Sequence, residues 1–330
     1  MAKNSTGPGW LAGVTVLDLS SLLPSPFAAH LLAKFGARVI KVESPNRPDP
    51  AREFGYVPPG KTGSCYREIN DNKELLLLDL KSETDRERLY ELVRTADGAI
   101  EGYRPDVRKR LGIEYETLAA LNPALVYCSV GGYDPAGDYR DRAGHDLNFV
   151  ARSGILDQTR DREGRCVMPG IPLGDYSVAY AAALRMACAL FGARQSRRGC
   201  HIEITIEQAL LEVQMPFLRE AIESGEMPRS GHTLVTGKYP CYNLYEVEGG
   251  TFALGALEEK FWRVFCESIG RADLISSHLA TGDAGQRTIA EVNKTLSRKN
   301  FADWWKIFRA VDCCIEPVVA VKDVVNGLQS

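Results

Sequence analysis

The stretch AGHDLNF (143–149) places His145 and Asp146 directly after Gly144. A glycine there lets backbone approach a ligand closely, and a neutral imidazole can exchange a proton near neutral pH. The same tripeptide also suits a hydrogen-bonded loop histidine. LGDY (173–176) puts Asp175 at or just before the first turn of a helix. Such an aspartate can simply cap the helix. It can also be held ionised and aimed by the helix end, as a general base or as a nucleophile toward a thioester carbonyl. GALEEKFW (255–262) offers Glu258 near a strand end, where helix capping competes with catalysis as its explanation. EGYRPDVRKRLG (101–112) gathers Arg104, Arg108, Lys109 and Arg110, which can receive phosphates or form a solvated helix face.

These residues need a scaffold, and the pattern of apolar runs supplies one. VTVLDL (14–19), a helix near 26–35 and ARVIKVE (37–43) read as a βαβ unit. ELLLLDL (74–80), an acidic-basic helix near 82–96, GAIEGY (98–103) and ALVYCSV (124–130) continue the alternation, which implies a parallel sheet. Gly131, Gly132, Pro135 and Gly137 then open a loop, the usual location of functional residues. A long helix is expected from about 176 to 191, a strand at CHIEITI (200–206) and a helix from about 207 to 224. GEMPRSGHTLVTGKYP reads as a linker, followed by a hairpin around Gly249-Gly250 and helices near 259–268, 286–297 and 300–310. The expected fold class is therefore α/β: a Rossmann-like large domain (1–224), a linker and smaller α+β domain (225–310), and a terminal segment (311–330). The turn after the first strand reads SSLLPSPFAAH and lacks GxGxxG, so dinucleotide binding is not expected.

Composition narrows the function classes further. With 45% hydrophobic and 25% charged residues, 330 residues can bury a large core, as a soluble globular protein does. A formal net charge of −3 gives no general attraction to nucleic acid or anionic membrane, so neither is an expected partner. The nine cysteines form no CxxC pair and no metal-ligand spacing, which points to reduced, buried thiols and no metal. MAKNSTGPGW has no signal-like apolar core and no stretch approaches membrane-spanning length, so the cytoplasm is the expected compartment.

Taken in order, these segments resemble the class III CoA-transferase superfamily, also called the CaiB/BaiF family, from about Leu11 to Val325. The landmarks are LAGVTVLDLS, PFAAHLLAKFGARVIKVE, LDLKS, the run from EGYRPDVRKRLG to AGHDLNF, GARQSRRGCHIEITIEQALLE and YPCYNLYEVEGGTFALGALEEKFW. GHDLN followed thirty residues later by Asp175 resembles the 2-methylacyl-CoA racemase branch, where many transferases carry an aromatic residue in place of His145. GALEEKFW and VDCCIEP (311–317) are similar to racemase segments as well.

The resemblance implies that CoA, carried by the substrate and not as a separate cofactor, lies along Leu78, Asp79, Leu80 and Lys81. It implies further contacts from Gly102, Tyr103, Arg104, Arg110 and the Gly144-His145-Asp146 loop. His145 and Asp175 would be the catalytic pair, with Glu258 orienting His145. An interlocked homodimer is implied, with the site between domains of two subunits. Some positions depart from the pattern. NDNKE (70–74) places Asp71 and Glu74 where relatives look basic, and Ser44 follows Glu43 where many have arginine, which removes positive charge from the nucleotide end. Tyr176-Ser177-Val178-Ala179-Tyr180 replaces a run of small residues and would narrow the acyl pocket. The C-terminal return segment of relatives is absent before Ser330, as expected of a shortened homologue, a truncated chain or one subunit of an assembly. Two activities follow from the resemblance, two-base racemisation at C2 of a 2-methylacyl-CoA or CoA transfer to a carboxylic acid through Asp175, and the departures from it suggest a third reading, a non-catalytic partner subunit of a homologous enzyme.

Overall fold

A computed structural model describes residues 9–161 and 163–329; residues 1–8, examined above for a leader, lie outside them. Six strands form one parallel sheet: β1 (Thr15–Asp18), β2 (Arg38–Glu43), β3 (Glu74–Leu77), β4 (Gly98–Glu101), β5 (Val126–Gly131) and β6 (Cys200–Thr205). Their spatial order is β3-β2-β1-β4-β5-β6. The strand order reverses beside β1, so β1 and β4 flank the switch point where open α/β sheets place ligands, beyond the carboxyl ends of the strands. The four inner strands are almost wholly buried, as runs such as VTVLD and LVYCSV require when helices cover both faces, whereas edge strand β3 leaves Leu75 and Leu77 exposed.

Carboxylates at three adjacent strand ends anchor the loops that leave them. Asp18, Glu43 and Glu101 close β1, β2 and β4 and are all buried. Glu43 accepts from Arg52 at 2.6 and 3.0 Å and from the Tyr66 hydroxyl at 2.9 Å. Glu101 accepts from the Tyr103 amide at 2.6 Å and from Arg108 at 3.2 Å. Lys73 Nζ donates to Asp18 Oδ2, the Pro26 carbonyl and Asn70 Oδ1, each at 2.8 Å. Burial pushes the Asp18 carboxyl up, but Lys73 and Lys41 outweigh it and bring it to about 2. The one cation of NDNKE is thus spent inside the fold, and removing one partner of such a pair typically costs about 3–5 kcal/mol. Glu74 pairs with Arg38 through two bonds of 2.8 and 2.7 Å on the surface.

The long helix Leu173–Ser196 buries Val178, Ala179, Ala182, Ala183, Met186, Leu190 and Ala193 in the core beneath β4, β5 and β6. Its 24 residues are long and apolar enough to cross a membrane by length and composition, which corrects the expectation that no segment reaches that length. A core helix passes the same test, and this one packs against the Pro24–Lys34 helix and β5.

By compactness the chain divides into two units. One holds the parallel sheet and runs to Leu156 and from Met168 to Pro216; the other holds Asp157–Val167 and the chain from Phe217 onward. The division cuts the helix Ile206–Ser224 at Pro216, a residue that removes one backbone hydrogen bond from a helix interior. The expected boundary at 224 lies beyond this division, at the last residue of that helix. In the second unit β7 (Tyr242–Val247) and β8 (Gly250–Gly255) form the anticipated hairpin across a two-residue turn, with Gly249 at φ 92°. β9 (Ile315–Pro317) adds a third antiparallel strand beside β8. Part of VDCCIEP therefore belongs to this small sheet, whose core includes Trp262, Phe252, Phe265, Trp304 and Phe308.

Candidate active site

Asp146 and Asp175 lie 29 residues apart in sequence and meet at the N-terminus of the Leu173–Ser196 helix. Asp146 Oδ1 accepts from the Gly174 amide at 2.7 Å and from the Asp175 amide at 3.0 Å. Free amides of a first helical turn need such an acceptor, and here it comes from a different helix, Asp146–Arg152. Asp175 is therefore not the cap that its position suggested. Its half-buried carboxylate has no hydrogen-bond donor among the described residues. Burial first, and the neighbouring Asp146 second, push that carboxyl up to about 7. Desolvation and a like charge thus oppose the helix field that would hold Asp175 ionised.

The approach of the two aspartates depends on Gly174. A Cβ there would stand 2.7 Å from Ile206 Cγ2, 3.1 Å from Asp146 Oδ1 and 3.2 Å from Leu210 Cδ1. Gly174→Ala is expected to lower stability by about 1–3 kcal/mol, because the branched Ile206 on a packed helix start cannot yield freely. Urea denaturation measures the loss, and an unchanged midpoint would show that the helix start shifts without cost.

His145 immediately precedes the Asp146–Arg152 helix in extended backbone, with φ −120° and ψ 172°. Its amide donates to Asn148 Oδ1 at 3.0 Å, and its carbonyl accepts from the Asn148 amide at 2.8 Å. The backbone is thereby fixed while the imidazole is exposed. Gly144 beside it is required for packing, since a Cβ would come within 2.9 Å of both the Phe149 ring and the Tyr133 hydroxyl. His145 and Asp175 thus share Asp146 as a common neighbour, one through the chain and one through hydrogen bonds.

A cavity of about 590 Å³ opens at the carboxyl ends of β4, β5 and β6. Gly102, Tyr103, Arg104 and Gly144, all expected at a CoA site, line it; His145, Asp146 and Asp175 do not. Its wall also contains residues not singled out from the sequence: Ser129, Tyr133, Arg140, Arg142, Glu203 and Thr205. Several are polar residues at the ends of parallel strands, which is the signal that could have found them. Arg108, noted earlier as a possible phosphate ligand, also lines the cavity, where its Nη1 donates to Glu101 and to Ser129 Oγ at 3.2 and 2.5 Å.

The other expected CoA residues divide by burial. Leu78 and Leu80 are core residues, packed with Ile40, Val42 and Leu89. Asp79 Oδ2 accepts from Asn46 Nδ2 at 2.9 Å, which ties the LDLK segment to the loop after β2. Lys81 is exposed just beyond the carboxyl end of β3, and Arg110 is exposed in the last turn of the Pro105–Leu111 helix. Glu258 belongs to the second unit, where it is exposed at the start of the Glu259–Ser268 helix. Its backbone carbonyl accepts from the Phe261 amide at 3.0 Å. Among the described residues no group of three or more His, Cys, Asp or Glu side chains is placed to hold a metal.

Comparison with known proteins identifies the same architecture elsewhere. Residues 11–329 match the profile of CoA-transferase family III. The chain is 28% identical to acetyl-CoA:oxalate CoA-transferase of Acetobacter aceti, over 95% of this chain and 82% of that protein. It is 29% identical to alpha-methylacyl-CoA racemase of Homo sapiens, over 96% of this chain and 79% of that protein. Among solved structures, a CaiB/BaiF family protein from Brucella suis superimposes with a TM-score of 0.82 at 25% identity, covering 96% of this chain and 85% of that one.

Proposed function

From the premise that the chain belongs to CoA-transferase family III, we propose that it inverts the C2 centre of a 2-methylacyl-CoA by moving the α-proton between Asp175 and His145. Two bases are needed because a single base tends to return the proton to the face it came from. What supports the proposal is the placement of the Asp175 carboxyl, half-buried without a hydrogen-bond donor among the described residues and beside Asp146, which together push it up to about 7. At neutral pH such a group exists in both forms, so it can take a proton in one direction and give it in the other. The thioester acidifies the α-carbon, ionised Asp175 removes the proton to form an enolate, and the protonated imidazole of His145 delivers one to the opposite face. The reverse direction exchanges the roles. Glu258 is proposed to assist, on the resemblance of its segment alone, and CoA to lie along Leu78–Lys81, Gly102–Arg104, Arg110 and Gly144–Asp146.

An interlocked homodimer is part of the proposal. Its support is the uncovered apolar surface of the Leu173–Ser196 helix, where Tyr180, Leu184 and Phe191 are exposed.

The deciding experiment incubates a 2-methylacyl-CoA in deuterated water with wild type, His145→Ala and Asp175→Ala, with a CoA-transfer assay and light-scattering mass on the same preparations. Deuterium incorporation with loss of stereochemical purity, absent from both variants, is the expected result. Transfer that survives His145→Ala but not Asp175→Ala, without exchange, would assign CoA transfer instead. Silence in both assays would favour a partner subunit.

A further inference from the structure

The sheet has a second cavity, at the opposite end of its strands from the residues discussed so far. It has a volume of about 460 Å³, and its wall includes Arg94, Arg194, Arg197, Asp97 and Asn122. Asp97 directly precedes β4 and Ala124 lies two residues before β5, so this is the amino-end face of the sheet. Among the described residues none of the three arginines has a carboxylate within ion-pair distance, although 40 Lys and Arg and 43 Asp and Glu leave acidic partners plentiful in the chain. Arg194 uses one donor on the Gly13 carbonyl at 2.9 Å; a guanidinium has five. Two polar side chains of the wall already bond to the backbone. Asp97 Oδ2 accepts from the Thr15 amide at 2.8 Å, and the Asn122 amide donates to the Val93 and Ala96 carbonyls at 2.9 and 2.8 Å.

Arg197 carries a second signal. It ends the Leu173–Ser196 helix in the left-handed conformation, at φ 58° and ψ 27°. Glycine is the usual residue there because a Cβ is strained, and the nearest glycine, Gly199, comes two residues later. The position therefore carries a cation where a Cβ is strained. The carbonyl ends of two helices, Glu83–Val93 and Leu173–Ser196, fall beside Arg94 and Arg197 and attract them. Each end supplies only about half a charge, which holds the guanidiniums without neutralising three of them against one carboxylate.

We propose that this cavity binds a compact polyanion, whose phosphate or carboxylate groups bridge Arg94, Arg194 and Arg197. Arginine forks suit both groups through paired N–H donors. The inference stands apart from the racemase proposal, since none of its residues belongs to that site.

The test titrates the full chain with pyrophosphate and with citrate by calorimetry, at constant ionic strength set with chloride. Binding weakened by about tenfold or more in Arg94→Gln, Arg194→Gln and Arg197→Gly is expected. Tighter pyrophosphate would identify a phosphate-bearing ligand, and tighter citrate a polycarboxylate. Arg197→Gly separates binding from folding. Relieving the left-handed strain should leave the thermal midpoint without ligand equal to wild type or higher, while the rise produced by the anion is lost. Failure of wild type to bind either anion at millimolar concentration, or binding that is unchanged in all three variants, would overturn the proposal.

Discussion

Asp175→Asn is expected to reduce α-proton exchange by roughly a thousandfold while making the protein more stable above neutral pH. The amide occupies nearly the same volume but neither accepts nor returns the proton, so the loss should appear in kcat without a matching rise in KM. The stability gain follows from the perturbed titration. Burial and Asp146 raise the folded carboxyl from an ordinary 3.8 to about 7, so the folded chain binds this proton more tightly than the unfolded chain. The contribution is present in full below the unfolded value and is lost as pH rises toward the folded one. At about 1.4 kcal/mol for each tenfold change in acid strength, the upper bound is about 4 kcal/mol. The carboxyl keeps some contact with solvent, and screening brings the expected figure to about 2 kcal/mol. Denaturation of the variant and wild type should therefore diverge by that amount between pH ~4 and ~8 and stay level above. Parallel curves across the range would mean that Asp175 titrates as an ordinary surface carboxylate, and the proton-transfer proposal would lose its main support.

The second large effect concerns Asp146, which performs two tasks that different substitutions separate. Asp146→Asn keeps an oxygen able to accept from the Gly174 and Asp175 amides but removes the charge beside Asp175. The rate limb that reports Asp175 should move to lower pH, with stability little changed. Asp146→Ala removes the acceptor as well. Loss of a helix cap costs about 1–2 kcal/mol, and the freed helix start displaces Asp175, with an expected rate loss of roughly a hundredfold. pH profiles of exchange and urea midpoints on both variants measure the two tasks. If Asn and Ala behaved alike in both measurements, Asp146 would have no role separable from simple packing.

Lys73 shows how little a local motif says about where its charge goes. Within NDNKE it looks like the remainder of a basic nucleotide-binding stretch, yet its ammonium is fully buried against Asp18, 55 residues away in sequence. Arg108 was similarly legible as a cation and illegible as a partner of Glu101. Glu258 was identified as a candidate, and its observed environment is a helix start in the second unit, with no side-chain cap bond.

What the sequence by itself determined is the set of elements and the family. Apolar runs at strand length, a glycine-centred hairpin and ordered landmarks along the chain are short-range properties, and the parallel sheet and the β7–β8 hairpin formed where they indicated. His145, Asp146 and Asp175 were also visible there as residue types capable of chemistry. Only the tertiary structure decided which aspartate caps the long helix and which becomes the protonatable one. Desolvation and Coulomb interaction act through space, so the acidity of Asp175 depends on Asp146 from another helix and on packing around Gly174 that no local pattern encodes.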